Sequence, residues 1–303
     1  MTDKDPLVST FHDARARFLD LVAEIRPDLH RYCARMTGSI SDGEDIVQET
    51  LARAYYALSE LEEMPQLRPW LFQIAHNRAL DFLRRYDRRM SQPLDAAADA
   101  ASSADSPEDE LAHEEATRAA ISRFSELVPV QRSAVILKDV LGHSVDEIAE
   151  LLELSVPAVK AALHRGRDRL RALAESSPRE AMPAPPSPSG ALARYVTLFN
   201  SRDWPAVRAM LAEDVRLDLV SRAQRAGRRD VSNYFSRYDA VDDWHLVPAR
   251  LDGREVIAVF RNPRDTSPSY FVELTLRDGF ITLIKDFRYV PYILNEASIA
   301  TLT

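Results

Sequence analysis

The spacing of apolar residues divides the chain near residue 190. Up to residue 173 they recur every three or four positions, the period of amphipathic helices. Beyond residue 191, helical stretches give way to runs in which apolar and polar residues alternate. The clearest pattern is SVDEIAELLELSVPAVKAALHRGRDRLRAL, residues 144–173. Ser144 and Glu147 have capping-box spacing and predict a helix with Val145, Ile148, Ala149 and Leu152 on one face. Glu153 and Leu154 turn the chain, Ser155 offers a second cap, and Pro157 sits in the next first turn, where its missing N–H costs nothing. Two helices joined this briefly predict a helix-turn-helix. On the second helix Val159, Leu163, Leu170 and Leu173 face a core, leaving Lys160, Ala161, His164, Arg165, Arg167, Asp168 and Arg171 outside.

Upstream, residues 11–37 carry a helical period with Pro27 as a restart and Gly38 as a stop. Ser41 and Glu44 predict a capping box for the next helix, which buries Ile46, Val47, Leu51, Ala54, Tyr55 and Leu58. Asp45, Gln48, Glu49 and Ala52 share its opposite face, a pattern that by itself suits a solvated helix surface. After the loop LEEMPQLRP a third helix is expected from about Trp70, with Leu71, Ile74, Ala75, Phe82 and Leu83 inward. Between Arg68 and Arg89 stand six arginines and two acids, interleaved with Trp70, Phe72, His76 and Tyr86. Cations beside flat rings suit the phosphates and unstacked bases of single-stranded DNA, although a basic helix end is also an ordinary solvated one.

Residues 91–115 hold eight acids and no Lys or Arg among many Ala and Ser, the composition of a flexible acidic linker. A helix pair is expected to follow, with Pro129 near the start of VQRSAVILKDVL and Gly142 at its end. Residues 174–190 contain five prolines and read as a semi-rigid spacer. Beyond it, ALARYVTLFNSRD, WPAVRAMLAED and RRDVSNYFSRY predict helices, whereas VRLDLVS, WHLVPARL, REVIAVFR, SYFVELTLR and FITLIKDFRYV predict strands. Asp252-Gly253 and Asp278-Gly279 lie between alternating runs and predict hairpins. The expected fold is therefore multidomain. Two all-α domains, 1–90 and 116–173, the second a helix-turn-helix, precede an α+β domain, 191–303, whose curved antiparallel sheet is covered by helices on one face.

Charge sharpens this picture. The formal net charge is −8, yet residues 156–173 hold five Lys or Arg against one acid, a local reversal suited to a helix entering the major groove, or to a solvated basic helix in a bundle. The single cysteine, Cys33, excludes an internal disulfide and argues against a cysteine-based zinc site; on an apolar helix face it reads as a small core residue. No run approaches the length of a membrane span and MTDKDPLVST lacks a signal pattern, so no membrane partner and a cytoplasmic location are expected.

DGEDIVQETLARAY with RPWLFQIAHNRALDFLRR, and LVPVQRSAVILKDVLGHSVDEIAELLELSVPAVKAALHRGRDRLR, resemble the second and fourth conserved regions of bacterial extracytoplasmic-function RNA polymerase sigma factors. Residues 191 to about 290 resemble more weakly the SnoaL-like members of the NTF2-like superfamily, a cone-shaped sheet, and this fusion forms a known subgroup. The resemblance implies a core RNA polymerase partner, bound at its β′ clamp and β flap, and a promoter DNA partner. It implies that Asp45, Gln48 and Glu49 dock on the clamp, and that Arg68, Trp70, Asn77, Arg84 and Arg85, with the loop 61–69, melt the minus-ten element. Lys160, His164, Arg165 and Arg167 would engage the minus-thirty-five element, with Ala161-Ala162 standing where relatives often carry Ser-Arg. The acidic linker would thread toward the polymerase active-site channel. For the cone, Trp204, Asp218, Tyr234, Trp244, His245 and Asp286 are candidate ligand-pocket residues, with Phe260 and Tyr270 as further lining. Aromatics filling a core, with the polar groups turned to solvent, is the favoured alternative. The expected role of the cone is to regulate the sigma domains through an intramolecular contact, with no cofactor, no metal and no catalysis by the chain. A small-molecule enzyme or ligand sensor fused to a DNA-binding module is the competing reading. Whether a separate anti-sigma protein exists stays open.

Overall fold

The computed structural model describes residues 6–58, 60, 65–90, 121–176, 187–239 and 244–302. They belong to two compact units, residues 1–179 and 180–303. The expected acidic linker 91–115 lies outside the described residues, as do residues 177–186 of the Pro-rich spacer.

In the first unit, α1 spans Pro6–Thr37 without a break. Pro27 does not restart it as expected. The carbonyl that loses its donor belongs to exposed Ala23, where water can replace the bond, while Ile25, Leu29, Tyr32, Cys33 and Met36 continue one buried stripe. Gly38, at φ +76°, ends the helix. Ser39 caps α2, Ile40–Ala57, by accepting from the Asp42 N–H. The expected Ser41–Glu44 capping box is thus displaced by two residues. Both side chains are buried inside the helix, and Glu44 pairs with Arg26 at 2.5 Å. α3 runs Leu67–Met90. A 3₁₀ turn, Ile121–Glu126, leads to α4, Pro129–Val135, which continues as a π-helical segment, Ile136–Val140. α5, Val145–Leu152, begins with the expected capping box, and α6, Val156–Ser176, completes the helix-turn-helix. Buried residues of α1–α3 and of α4–α6 form one continuous apolar core, so the two expected α domains share an interior within a single unit.

The second unit opens with α7, Gly190–Asn200, and α8, Trp204–Ala209. β1, Leu211–Leu219, and β2, Ala223–Ala226, precede α9, Arg228–Asp239. β3, His245–Leu251, β4, Arg254–Phe260, β5, Tyr270–Arg277, β6, Phe280–Asp286, and β7, Ala300–Thr301, follow. The sheet order is β2-β1-β6-β5-β4-β3-β7. Asp252-Gly253 and Asp278-Gly279 both take positive φ and close the β3–β4 and β5–β6 hairpins. The sheet is mixed instead of purely antiparallel, because β1 pairs in parallel with β6. That pairing joins distant segments, so no local turn signal announces it. α7, α8 and α9 contribute Tyr195, Phe199, Val207 and Phe235 to the core that covers one face of the sheet.

Candidate functional site

The acidic face of α2 forms as expected. Asp45, Glu49 and Ala52 are exposed and Gln48 is half-buried. Arg78 of α3 reaches Glu49 at 3.1 Å and Asp81 at 2.5 Å, anchoring one carboxylate of that face. In water such a pair adds little stability, but it orients the carboxylate.

On α3, Trp70, Asn77 and Arg84 are spaced by sevens, so they drift only about 20° per step along one stripe. Asn77, Arg84 and Arg85 are exposed, and Trp70 packs half-buried against the core. Arg68 pairs with Asp28 at 2.6 Å and lies over the Phe72 ring. Exposed Tyr86 stacks on Phe82. Two residues expected on this basic surface face inward instead. Phe72 is fully buried, and His76, four residues on, accepts or donates to the Tyr32 hydroxyl at 2.7 Å. Their i, i+4 spacing continues through Ala79 and Leu83, the true core stripe of α3. Burial pushes the His76 imidazole down to about 4, so it is neutral at physiological pH.

In the helix-turn-helix, Ser155 caps α6 through the Ala158 N–H. Lys160, His164 and Asp168 are exposed at successive i, i+4 positions, and His164 Nδ1 lies 2.8 Å from an Asp168 carboxylate oxygen. Arg165 is half-buried. Arg167 departs from its expected place on the DNA face. Its side chain is 15% exposed and donates Nε to Asp139 Oδ2 at 2.9 Å and Nη2 to Oδ1 at 2.7 Å. This bidentate, mostly buried pair commits the guanidinium to holding α6 against the π-helical segment. Ala161 is buried too, since α6 packs closely enough that a Cβ on Gly166 would come within 2.6 Å of Val135. Sequence reasoning missed Asp139; the one signal was an acid inside the apolar run VILKDVL.

Of the six cone candidates, Tyr234 and Asp286 meet and Trp244 packs beside their cluster, whereas Trp204, Asp218 and His245 lie elsewhere. Strand alternation puts Leu217 and Leu219 of β1 opposite Ile284 and Asp286 on the covered face, so Asp218, opposite Lys285, points to the other side. His245 likewise alternates with core residue Leu246. Trp204 is buried against Phe199 and Phe235, and Phe260 is buried as well. What does assemble is a chain of hydroxyls. Tyr234 donates to Asp286 at 2.7 Å, and 3.0 Å contacts link Tyr234 to Tyr238 and Tyr238 to Tyr270. The Arg288 N–H satisfies the second Asp286 oxygen. Burial raises the Asp286 carboxyl above the usual range, opposed by these hydrogen bonds. Trp244 packs edge-on against Tyr238 and Tyr270 and carries Arg288 on its face. The cavity among Tyr195, Phe199, Tyr234, Tyr238 and Tyr270 has room for roughly one water. Tyr238 was missed by sequence reasoning, although it follows Tyr234 by one helical turn. Among the described residues no group of side chains could hold a metal ion, and no helix is long and apolar enough to cross a membrane.

The chain matches the family models for Sigma-70 region 2 over residues 21–89, Sigma-70 region 4 over 118–170 and a SnoaL-like domain over 192–284. It is similar to the ECF RNA polymerase sigma factor SigG of Mycobacterium tuberculosis, 32% identical over 202 residues that cover 59% of this chain and 54% of SigG. It thus spans about half of that relative's length. It is also similar to the ECF RNA polymerase sigma factor SigW of Bacillus subtilis, 30% identical over 164 residues that cover 51% of this chain and 87% of SigW. Among solved structures, the Mycobacterium tuberculosis extracytoplasmic function sigma factor SigJ covers 88% of this chain and 95% of its own, at 20% identity and a TM-score of 0.35.

Proposed function

Since the chain belongs to the ECF RNA polymerase sigma factors, we propose that it joins core RNA polymerase as an alternative sigma factor and directs promoter recognition and strand opening. The observation that carries this reading is the presence, on one unit, of three separate exposed surfaces: the acidic face of α2, the Asn77–Arg84 stripe of α3 with half-buried Trp70 at its end, and the Lys160–His164 face of α6. Asp45, Gln48 and Glu49 dock on the β′ clamp, while α4–α6 meet the β flap. Asn77, Arg84 and Arg85, with Trp70 and Arg68 beside them, hold the opened minus-ten strand. Flipping a base out of the stack costs a few kcal/mol, which stacking and cation contacts offset. Lys160, His164 and Arg165 face the minus-thirty-five duplex, and Arg167 holds their helix in place. This work is done in the cytoplasm.

The second unit regulates the first and does not turn over a substrate in this reading. The supporting observation is its interior, where hydroxyls satisfy one another and the remaining space admits about one water. Run-off transcription with purified core polymerase and genomic promoter fragments tests the assignment. Promoter-specific transcripts are expected only when the chain is added, and failure to co-elute with the core enzyme overturns it. Truncation after residue 173 is expected to change transcript yield, and unchanged yield and promoter binding would rule out the regulatory role.

A further inference from the structure

Lys160, His164, Asp168 and Arg171 follow one another along the outer stripe of α6, about a turn apart. An aspartate is out of place on a helix that meets duplex DNA, because the phosphates repel it. Here both of its oxygens have partners. His164 Nδ1 lies 2.8 Å from Oδ2, and Arg171 donates Nη1 to Oδ1 at 3.4 Å. The side chains of His164 and Asp168 are 59% and 51% exposed, so their meeting fills no part of the core. It orients the imidazole instead.

Proton counting then fixes the tautomer. An ionised carboxylate has no hydrogen to give, so the hydrogen of this contact sits on Nδ1. A ring with one proton thus leaves Nε2 bare, an acceptor turned away from Asp168. Phosphates also only accept, so a bare Nε2 has no use for the DNA backbone, which falls to Lys160. Base edges differ. In the major groove adenine N6 and cytosine N4 donate, whereas guanine N7 and O6 and thymine O4 accept. An acceptor at Nε2 matches the first two and meets lone pairs on the others.

We propose that Asp168 is a positioning residue for promoter reading. It fixes the His164 proton on Nδ1, so that Nε2 selects an amino-bearing base, adenine or cytosine, at one position on one strand of the minus-thirty-five duplex. The base selection rests on the sigma-factor reading, whereas the tautomer is a property of the free chain.

The tautomer is tested in the full chain with nitrogen-15-labelled histidine at pH 8.5, where free imidazole carries one ring proton. Long-range proton–nitrogen spectra, assigned with His164→Ala, should show Nδ1 protonated and Nε2 bare. Asp168→Ala takes the acceptor away, and Nε2 should gain the proton in most rings. A proton on Nε2 in the unaltered chain overturns the proposal, as does an unmoved tautomer in the variant. Base selection is read by binding the chain with core polymerase, at the same pH, to promoters randomised over the minus-thirty-five element and sequencing what is retained. One position of one strand should favour adenine or cytosine over guanine or thymine roughly fivefold, and lose that preference in both His164→Ala and Asp168→Ala. Removing the carboxylate should also strengthen binding to every sequence alike, since a charge that repels phosphate is gone. A uniform change with the base preference intact leaves Asp168 only that electrostatic role and overturns the proposal. A preference for guanine or thymine at the position set by His164 does so too. If the chain lends the polymerase no promoter preference at all, the sigma-factor reading fails, while the ring spectra still judge the tautomer.

Discussion

Each unit buries a tyrosine hydroxyl against a titratable group, and the two groups are opposites. In the first unit Tyr32 meets the imidazole of His76; in the second Tyr234 meets the carboxyl of Asp286. Burial penalises the charged form of both, which moves the base down and the acid up. The same desolvation thus gives the two units opposite responses to mild acid. A further difference is what the polar groups join. The imidazole cluster ties together segments separated by 44 and 101 residues, whereas the tyrosine chain fills one domain's interior.

The comparison is broken most severely by emptying one core. Phe72→Ala should cost about 3–5 kcal/mol in the first unit and nothing in the second. Hydrogen exchange read by mass spectrometry during urea unfolding assigns the loss to residues. Equal destabilisation of both units would show that they do not unfold separately. Next in size, Asp139→Ala strands Arg167 in a mostly buried place and should cost about 3 kcal/mol in the first unit, measured the same way. Double replacement of both partners by apolar residues should recover much of it.

Acid sharpens the contrast further. A neutral His76, with its pKa near 4 when folded and 6.5 when unfolded, stabilises the first unit fully above pH 6.5, and this is lost as pH falls toward 4. By pH 5 the loss is roughly 2 kcal/mol. His143, also pushed down by burial, acts in the same direction. Asp286 has the reverse sign: its raised pKa favours the protonated folded form, so the second unit gains stability as pH falls through that pKa. Urea midpoints at pH 7 and pH 5 should therefore move apart, and His76→Gln should flatten the first unit's dependence. The smallest effect is Ser144→Ala, which removes the α5 capping box at a cost of about 1 kcal/mol, visible in the same midpoints.

Most local signals in the sequence were faithful, the exception being the Ser41–Glu44 spacing, where the cap is Ser39. The Ser144–Glu147 box, the Ser155 cap and both Asp-Gly hairpins form where spacing placed them. Illegible features have causes elsewhere in the chain. Pro27 fails to break α1 because packing against other helices outweighs a lost hydrogen bond. The parallel β1–β6 pairing, the inward turn of His76 and the capture of Arg167 by Asp139 each depend on a partner 28 or more residues away. The exposed face of α2 and Lys160 and His164 of α6 were legible from helical period, whereas the inward turn of Phe72, His76, Ala161 and Arg167 was not, nor which pocket residues converge. Asp218 and Asp286 both lie on strands, and only the register shows them on opposite faces.

Gly43 lies where α2 crosses α1, and a Cβ there would stand 2.5 Å from the Ala34 backbone nitrogen. The two helices touch through the space a side chain would otherwise fill. Asp45 and Glu49 ride on the far side of that same helix. A single added methyl group would shove the whole rod outward and shift its carboxylates, so the placement of this acidic surface is governed by one hydrogen atom on the hidden side.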